Sequence, residues 1–198
     1  MDKKATTDQP ILPLLADRWS PIAFAPRPIP DETLTSLLEA ARWAPSCFND
    51  QPWFFLVARR QNTDEFERML ECLVEGNRVW ARNASVLMIT AARTTFQRNL
   101  KPNRFAGHDL GLAVGGLLVQ ASEMDLAVHQ MGGFDPAKAR ESYGIPEGFE
   151  PMTAIAIGYR DDPSTLSDEM RKREMAPRER KPLSSFVFSG SWDSPAGF

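Results

Sequence analysis

Four segments carry side chains whose types and spacing could do chemistry. In "DRWSP", Arg18 and Ser20 stand two apart, a cation and a hydroxyl that could suit an anion but, taken alone, are more often a helix-end charge and a cap. In "PSCFNDQP", the hydroxyl of Ser46, the thiol of Cys47 and the amide of Asn49 crowd between Pro45 and Pro52. A nucleophilic thiol needs a histidine partner or electropositive surroundings, and neither is visible around Cys47. Ser46 lacks the G-x-S-x-G frame and has no triad, so both residues read as parts of a loop. Gly132 and Gly133 in "VHQMGGFD" read alone as a turn, and "RERK", with Arg178 and Arg180, as a solvated charge run. His108 and His129 are too few and too scattered for a metal centre, and Cys47 and Cys72 form no CxxC, so neither zinc nor a disulfide framework is expected.

The elements that must position these groups follow from periodicity. "LLADRWSP" predicts a short helix that stops near Pro21, because proline has no amide proton and restricts its predecessor. Leu34, Leu37, Leu38 and Ala41 recur on one helical face after Asp31, taken as the N-cap, and the helix ends at Pro45. "WFFLVA" (53–58) and "SVLMITAA" (85–92) are continuous apolar runs and are predicted as buried strands. Between them Asn62 and Glu65 resemble a capping box, opening a helix whose apolar stripe continues to Gly76. Residues 93–106 lack a period and read as a surface loop or a lid over a pocket. "HDLGLAVGGLLVQASEM" (108–124) is apolar nearly all round and predicts a central helix. A strand "LAVHQM", a short helix with Asp135 as cap and Pro136 in its first turn, and a strand "MTAIAIGYR" complete the core. This order is α+β, a sheet covered by helices. The charged tail ends in one more expected strand, Ser184 to Phe188, which reaches across another subunit or wraps its own.

Length and composition set the class. With 198 residues, 42% of them hydrophobic, the chain can bury one core and is not disordered. A net charge of -3 without a long basic run argues against nucleic acid as partner. No run of about 18 apolar residues suggests a membrane span, and no secretory signal follows the first charged residues. A soluble, cytoplasmic protein is expected.

Taken in order, five segments resemble the FMN-dependent nitroreductases: "DRWSPIAF" their opening Arg-x-Ser motif, "ARWAPSCFNDQPW" their flavin-binding loop, "EGNRVWARNA" their Asn-containing segment, "VHQMGGFD" their Gly-Phe turn and "RERKP" their C-terminal basic motif. The resemblance spans Arg18 to Phe188. It implies a nitroreductase-like fold with a mixed or antiparallel sheet flanked by helices, in an intertwined homodimer with a C-terminal arm. Residues 1–13 would be a flexible arm, 14–160 the FMN-binding domain and 161–198 the arm that completes flavin site and dimer. Arg18, Ser20, Arg178 and Arg180 would hold the phosphate and ribityl chain, with Trp19 contributing backbone groups. Asn77 would bond the ribityl chain or ring edge; Gln130, Met131, Gly132 and Gly133 would pass close to the ring, where glycine permits approach without a Cβ. Pro45, Ser46, Cys47 and Asn49 would form a rigid loop reaching the flavin of the other subunit. Asp109 aligns with a polar position near the flavin, or is simply an acid at a helix start.

The activity implied is an oxidoreductase in which NADH or NADPH reduces flavin N5 and a small oxidised substrate, of the nitroaromatic, quinone or enone class, then takes the electrons in ping-pong order. No protein side chain is assigned as catalytic. The sequence departs from the pattern at Ile22, where relatives carry a cation aimed at the pyrimidine end of the flavin, and Trp80 replaces a lysine of some relatives. An alternative is therefore a flavin-binding or sensing protein without turnover.

Overall fold

A computed structural model describes residues 3–197. Its centre is a five-stranded sheet with every pairing antiparallel, so the mixed alternative falls away. The strands are β1 (Phe24–Ala25), β2 (Trp53–Arg59), β3 (Val86–Arg93), β4 (Ala127–Met131) and β5 (Phe149–Arg160). β5, 12 residues long, pairs with β3, β4 and β1, and β2 closes the β3 edge.

Strand periodicity divides the core into two layers. Val86 and Met88 of β3 and Ile155 and Ile157 of β5 face α2 (Asp31–Arg42) and α5 (Ala106–Glu123). Leu87, Ile89, Ala154 and Ala156 face the opposite layer, which holds α3 (Thr63–Leu70), α4 (Glu75–Ala81) and Ala139 of α6 (Pro136–Tyr143). A strand covered on both faces has no polar side, which is why β3 reads as one apolar run. α2 and α5 cross closely: a Cβ at Gly116 would lie 2.7 Å from the Ala40 carbonyl oxygen.

Several boundaries differ from the sequence reading. α1 (Pro13–Asp17) stops at Arg18, three residues before Pro21. Asp31 is the first residue of α2 rather than its cap, which is Pro30, and its carboxylate pairs with Arg59. β2 is an edge strand with Phe54 43% exposed, so an apolar run did not mean full burial there. Asn62 precedes α3, but its side chain caps nothing. The stripe expected to run to Gly76 is two helices. Between them the Val74 amide donates to the Gly133 carbonyl, the Asp135 amide donates to that of Cys72, and Leu73 bridges Phe134. Pairing with this distant turn outweighs the local helical period. Asp135 does cap α6, accepting from the Ala137 and Lys138 amides, with Gly144 left-handed at φ 60° at the other end.

In the tail, the strand expected at Ser184 to Phe188 is a 3-10 turn at Leu183–Ser185 followed by a lone bridge from Phe188 to Pro195. A helix the periodicity did not announce, α7 (Asp168–Met175), precedes it. The tail up to Arg178 wraps its own chain. Arg178 donates to the carbonyls of Lys3 and Ala16, and the Ala5 amide donates to Ala16, so this tail and the N-terminal arm converge on α1.

Candidate functional site

Past the last turn of α1 the backbone turns extended at Arg18, whose side chain enters a cluster with Arg178 and Arg180. Burial, then the charges of Arg178 and Arg180, lower the Arg18 pKa. Burial and Arg180 lower that of Arg178, with Asp17 partly offsetting them. Among the described residues no carboxylate forms an ion pair with any of the three. Three guanidiniums from chain positions some 160 residues apart are thus brought near one another with Asp17 as a nearby carboxylate that pairs with none of them, and such an excess of positive charge attracts an anion. Of the three, Arg18 also lines a cleft of about 280 Å³, whose other charged walls are Asp17, Glu123, Asp125 and Arg160.

The next residues are fixed from the tail. Glu174 of α7 is 5% exposed, and its carboxylate accepts the Ile22 amide at 2.8 Å and the Trp19 indole N–H at 3.3 Å. Arg160 covers the Trp19 ring at 4.6 Å. The Ile22 side chain is buried among Phe24, Leu70 and Trp80, so position 22 does not present a side chain to a cofactor, which corrects the expectation drawn from the resemblance. Trp80 is buried as well and meets the His129 ring at 4.6 Å in a tilted contact; among the described residues its indole N–H has no partner. His129 Nδ1 lies 2.9 Å from the Pro21 carbonyl, which can only accept, so Nδ1 carries the proton. Burial lowers the His129 pKa; the Pro21 and Ser20 backbones and Glu174 oppose this, while Arg173 adds to it.

Asn77 on α4 donates through Nδ2 to the Gly133 carbonyl at 2.9 Å. A Cβ on Gly133 would come within 2.6 Å of that nitrogen, so glycine is required for the contact. Gln130 and Gly132 are exposed, whereas Met131 is buried in the core.

The Pro45 to Asn49 loop lies elsewhere. The Cys47 amide donates to the buried Asp109 carboxylate of α5 at 3.0 Å, and the Ser46 hydroxyl accepts the Gln51 amide at 3.0 Å. Phe48, Asn49 and Gln51 have φ of 55°, 55° and 49°, a left-handed region that non-glycine residues rarely adopt. Asp50 holds the turn by accepting from Arg93 and from the Gln97 amide. Among the described residues, the side chains outside the loop that this turn meets by hydrogen bond or ring contact are Asp109, Arg93, Phe96 and Arg98, none in the basic cluster.

Residues 15–159 match the family model described as Nitroreductase family. The chain belongs to the nitroreductase family. A solved structure described as the oxidoreductase containing FMN is 37% identical, with 98% of each chain covered and a TM-score of 0.91. An uncharacterised 15.4 kDa protein of Mycolicibacterium smegmatis is 30% identical over 71% of this chain and 98% of its own. A Streptomyces coelicolor protein, provisionally named NADH dehydrogenase/NAD(P)H nitroreductase, is 29% identical over 74% of this chain and 81% of its own.

Within this nitroreductase, then, one chain brings Arg18 near Arg178 and Arg180, sets Trp19 against Glu174 and Arg160, leaves Ser20 exposed, and separately pairs Asn77 with Gly133. Among the described residues, it ties the loop of Pro45, Ser46, Cys47 and Asn49 to Asp109 through the Cys47 amide alone. Sequence reasoning missed Glu174, Asp50, Arg93 and Arg98. Glu174 sits in a run of charges that carries no local signal of burial.

Proposed function

We propose that the protein is an FMN-dependent oxidoreductase that takes hydride from NADH or NADPH and reduces a small oxidised organic molecule of the nitroaromatic, quinone or enone class. The observation that carries this reading is the cluster of Arg18, Arg178 and Arg180, in which none of the three forms an ion pair among the described residues and which fits a phosphate dianion. The remaining residues fit too: Ser20 offers a hydroxyl for the ribityl chain, and the carboxamide oxygen of Asn77 and the exposed backbone of Gly132 offer polar groups to a ring edge. Bound FMN supplies a two-electron relay between nicotinamide and acceptor. The chain's own part is to bind and orient: the arginines fix the phosphate, Glu174 holds the segment carrying Arg18, and no side chain need act as acid. Donor and acceptor use one face in turn, a ping-pong order.

The second copy of the chain completes the site in this reading. Along α5, Leu112 and Val119 are exposed, and a Cβ on Gly111 or Gly115 would meet nothing within 4 Å, so the longest helix keeps an uncovered apolar stripe. Packing of two such faces would carry each Pro45 to Asn49 loop toward the partner's cofactor. A light-scattering mass near the 22.2 kDa monomer for flavin-loaded protein would remove the dimer.

The deciding experiment is the absorbance spectrum of purified protein mixed anaerobically with each pyridine nucleotide. A yellow protein that bleaches within seconds supports the enzyme. Colourless protein that gains no flavin on titration overturns FMN binding. The uncharged, buried Ile22 and Trp80 favour a second reading, a flavin protein without turnover, and yellow protein that neither nucleotide bleaches would establish it.

A further inference from the structure

The strained loop forms one wall of a second cleft, of about 460 Å³, whose lining includes Phe48, Asp50, Phe54, Arg93, Gln97 and Arg98. Its two arginines differ. Arg93 is half-buried and neutralised by Asp50 at 3.1 Å. Arg98 lies flat on the Phe48 ring at 3.6 Å from its centroid and 5.6 Å from that of Phe96, and among the described residues it has no acidic partner. A guanidinium stacked face-on keeps its N–H donors at its edge, directed along the ring plane, where they match the two oxygens of a carboxylate. Phe48 is 67% exposed and Phe54 43% exposed, so aromatic walls flank that cation. A left-handed backbone at Phe48 costs stability, and such strain persists where the surroundings impose it, here through Asp109, Asp50 and Arg93. The cleft thus combines flat apolar walls, one free fork of donors and a fixed shape.

We propose that this cleft receives the acceptor substrate and selects planar, conjugated molecules bearing a carboxylate, with Arg98 as the residue that holds the anionic end. The inference rests on the oxidoreductase reading, in which the Pro45 to Asn49 loop stands at the partner's flavin and its outer wall adjoins the reacting ring. Arg98 grips the carboxylate, Phe48 and Phe54 hold the conjugated plane, and the oxidised group points toward the flavin. The reaction stays the two-electron transfer proposed above, so Arg98 moves no proton and touches only the unreactive end of the substrate.

The test compares 4-nitrobenzoate with neutral 4-nitrobenzamide in the flavin-loaded dimer, for the parent, Arg98→Gln and Arg98→Lys. The parent is expected to favour the acid in kcat/KM by about tenfold, a difference near 1.4 kcal/mol. Arg98→Gln should abolish that preference chiefly through KM, lowering kcat/KM for the acid about tenfold more than for the amide at unchanged flavin content; Arg98→Lys should recover part of it. Equal losses for acid and amide, or no preference in the parent, overturn the proposal. Equilibrium dialysis of 4-nitrobenzoate against parent and Arg98→Gln reads the cleft without turnover. If no acceptor is reduced yet the parent binds the acid more tightly than the variant, the oxidoreductase reading fails and the anion site stands. Equal binding by both removes the site.

Discussion

Replacing Glu174 by alanine tests how the tail is held to the basic cluster. The carboxylate accepts two donors from a segment more than 150 residues away, the Ile22 amide at 2.8 Å in a buried setting and the Trp19 indole at 3.3 Å. Stranding the Ile22 amide costs about 1–3 kcal/mol, and losing the longer Trp19 bond costs about 1 kcal/mol more. The expected destabilisation of Glu174→Ala is therefore about 2–4 kcal/mol, a fall in thermal midpoint of roughly 4–16 °C for a chain of this size. Glu174→Gln should fall between parent and alanine, because its one carbonyl oxygen can serve the Ile22 amide while its NH₂ faces the indole donor. The loss should reach the cofactor too. Arg178 and Arg180 follow α7 directly, so freeing the helix loosens two of the three arginines and weakens FMN binding measured by fluorescence titration. A Glu174→Ala protein with the parent's midpoint and the parent's FMN affinity would refute the claim that this carboxylate ties tail to site.

Arg18→Ala or Arg180→Ala should each weaken FMN retention by about 10 to 150-fold, the equivalent of a charge-assisted hydrogen bond of roughly 1.5–3 kcal/mol; if both variants titrate like the parent, the phosphate assignment is wrong. Ile22→Arg places an unpaired charge beside Phe24 and Trp80, so it should cost about 3–5 kcal/mol and yield little soluble protein, and a variant with unchanged urea midpoint would show that position 22 is not core. Burial depresses the folded-state pKa of His129, so the unfolded chain binds its proton more readily. Stability from this group is then complete above its ordinary value of about 6.5 and is lost as pH falls through that value toward the folded pKa. Urea midpoints from pH 8 to 5 should fall less steeply in His129→Asn, and parallel profiles would contradict the assignment.

The elements that the chain encodes by itself are those whose signals are local. Val86 to Ala92 could only be a strand covered on both faces, and Asp135, Pro136 and Gly144 mark both ends of α6 by cap chemistry that needs no neighbour. The order of the Arg18, Pro45, Asn77, Gly132 and Arg178 segments was enough to identify the family. Tertiary structure decided what depends on partners distant in sequence. The apolar stripe after Asn62 breaks because residues 72–74 pair with the turn at 133–135, and the run at Trp53 became an edge because only β3 lies beside it. Ile22 went to the core and Glu174 to the site because burial is settled by where the sheet and the tail meet. A charge run such as "DEMRKREM" gives no local sign of which of its residues will be enclosed. Periodicity and caps act over a few residues, whereas these outcomes turn on contacts across 60 to 170 residues, whose energies do not exist until the chain has folded.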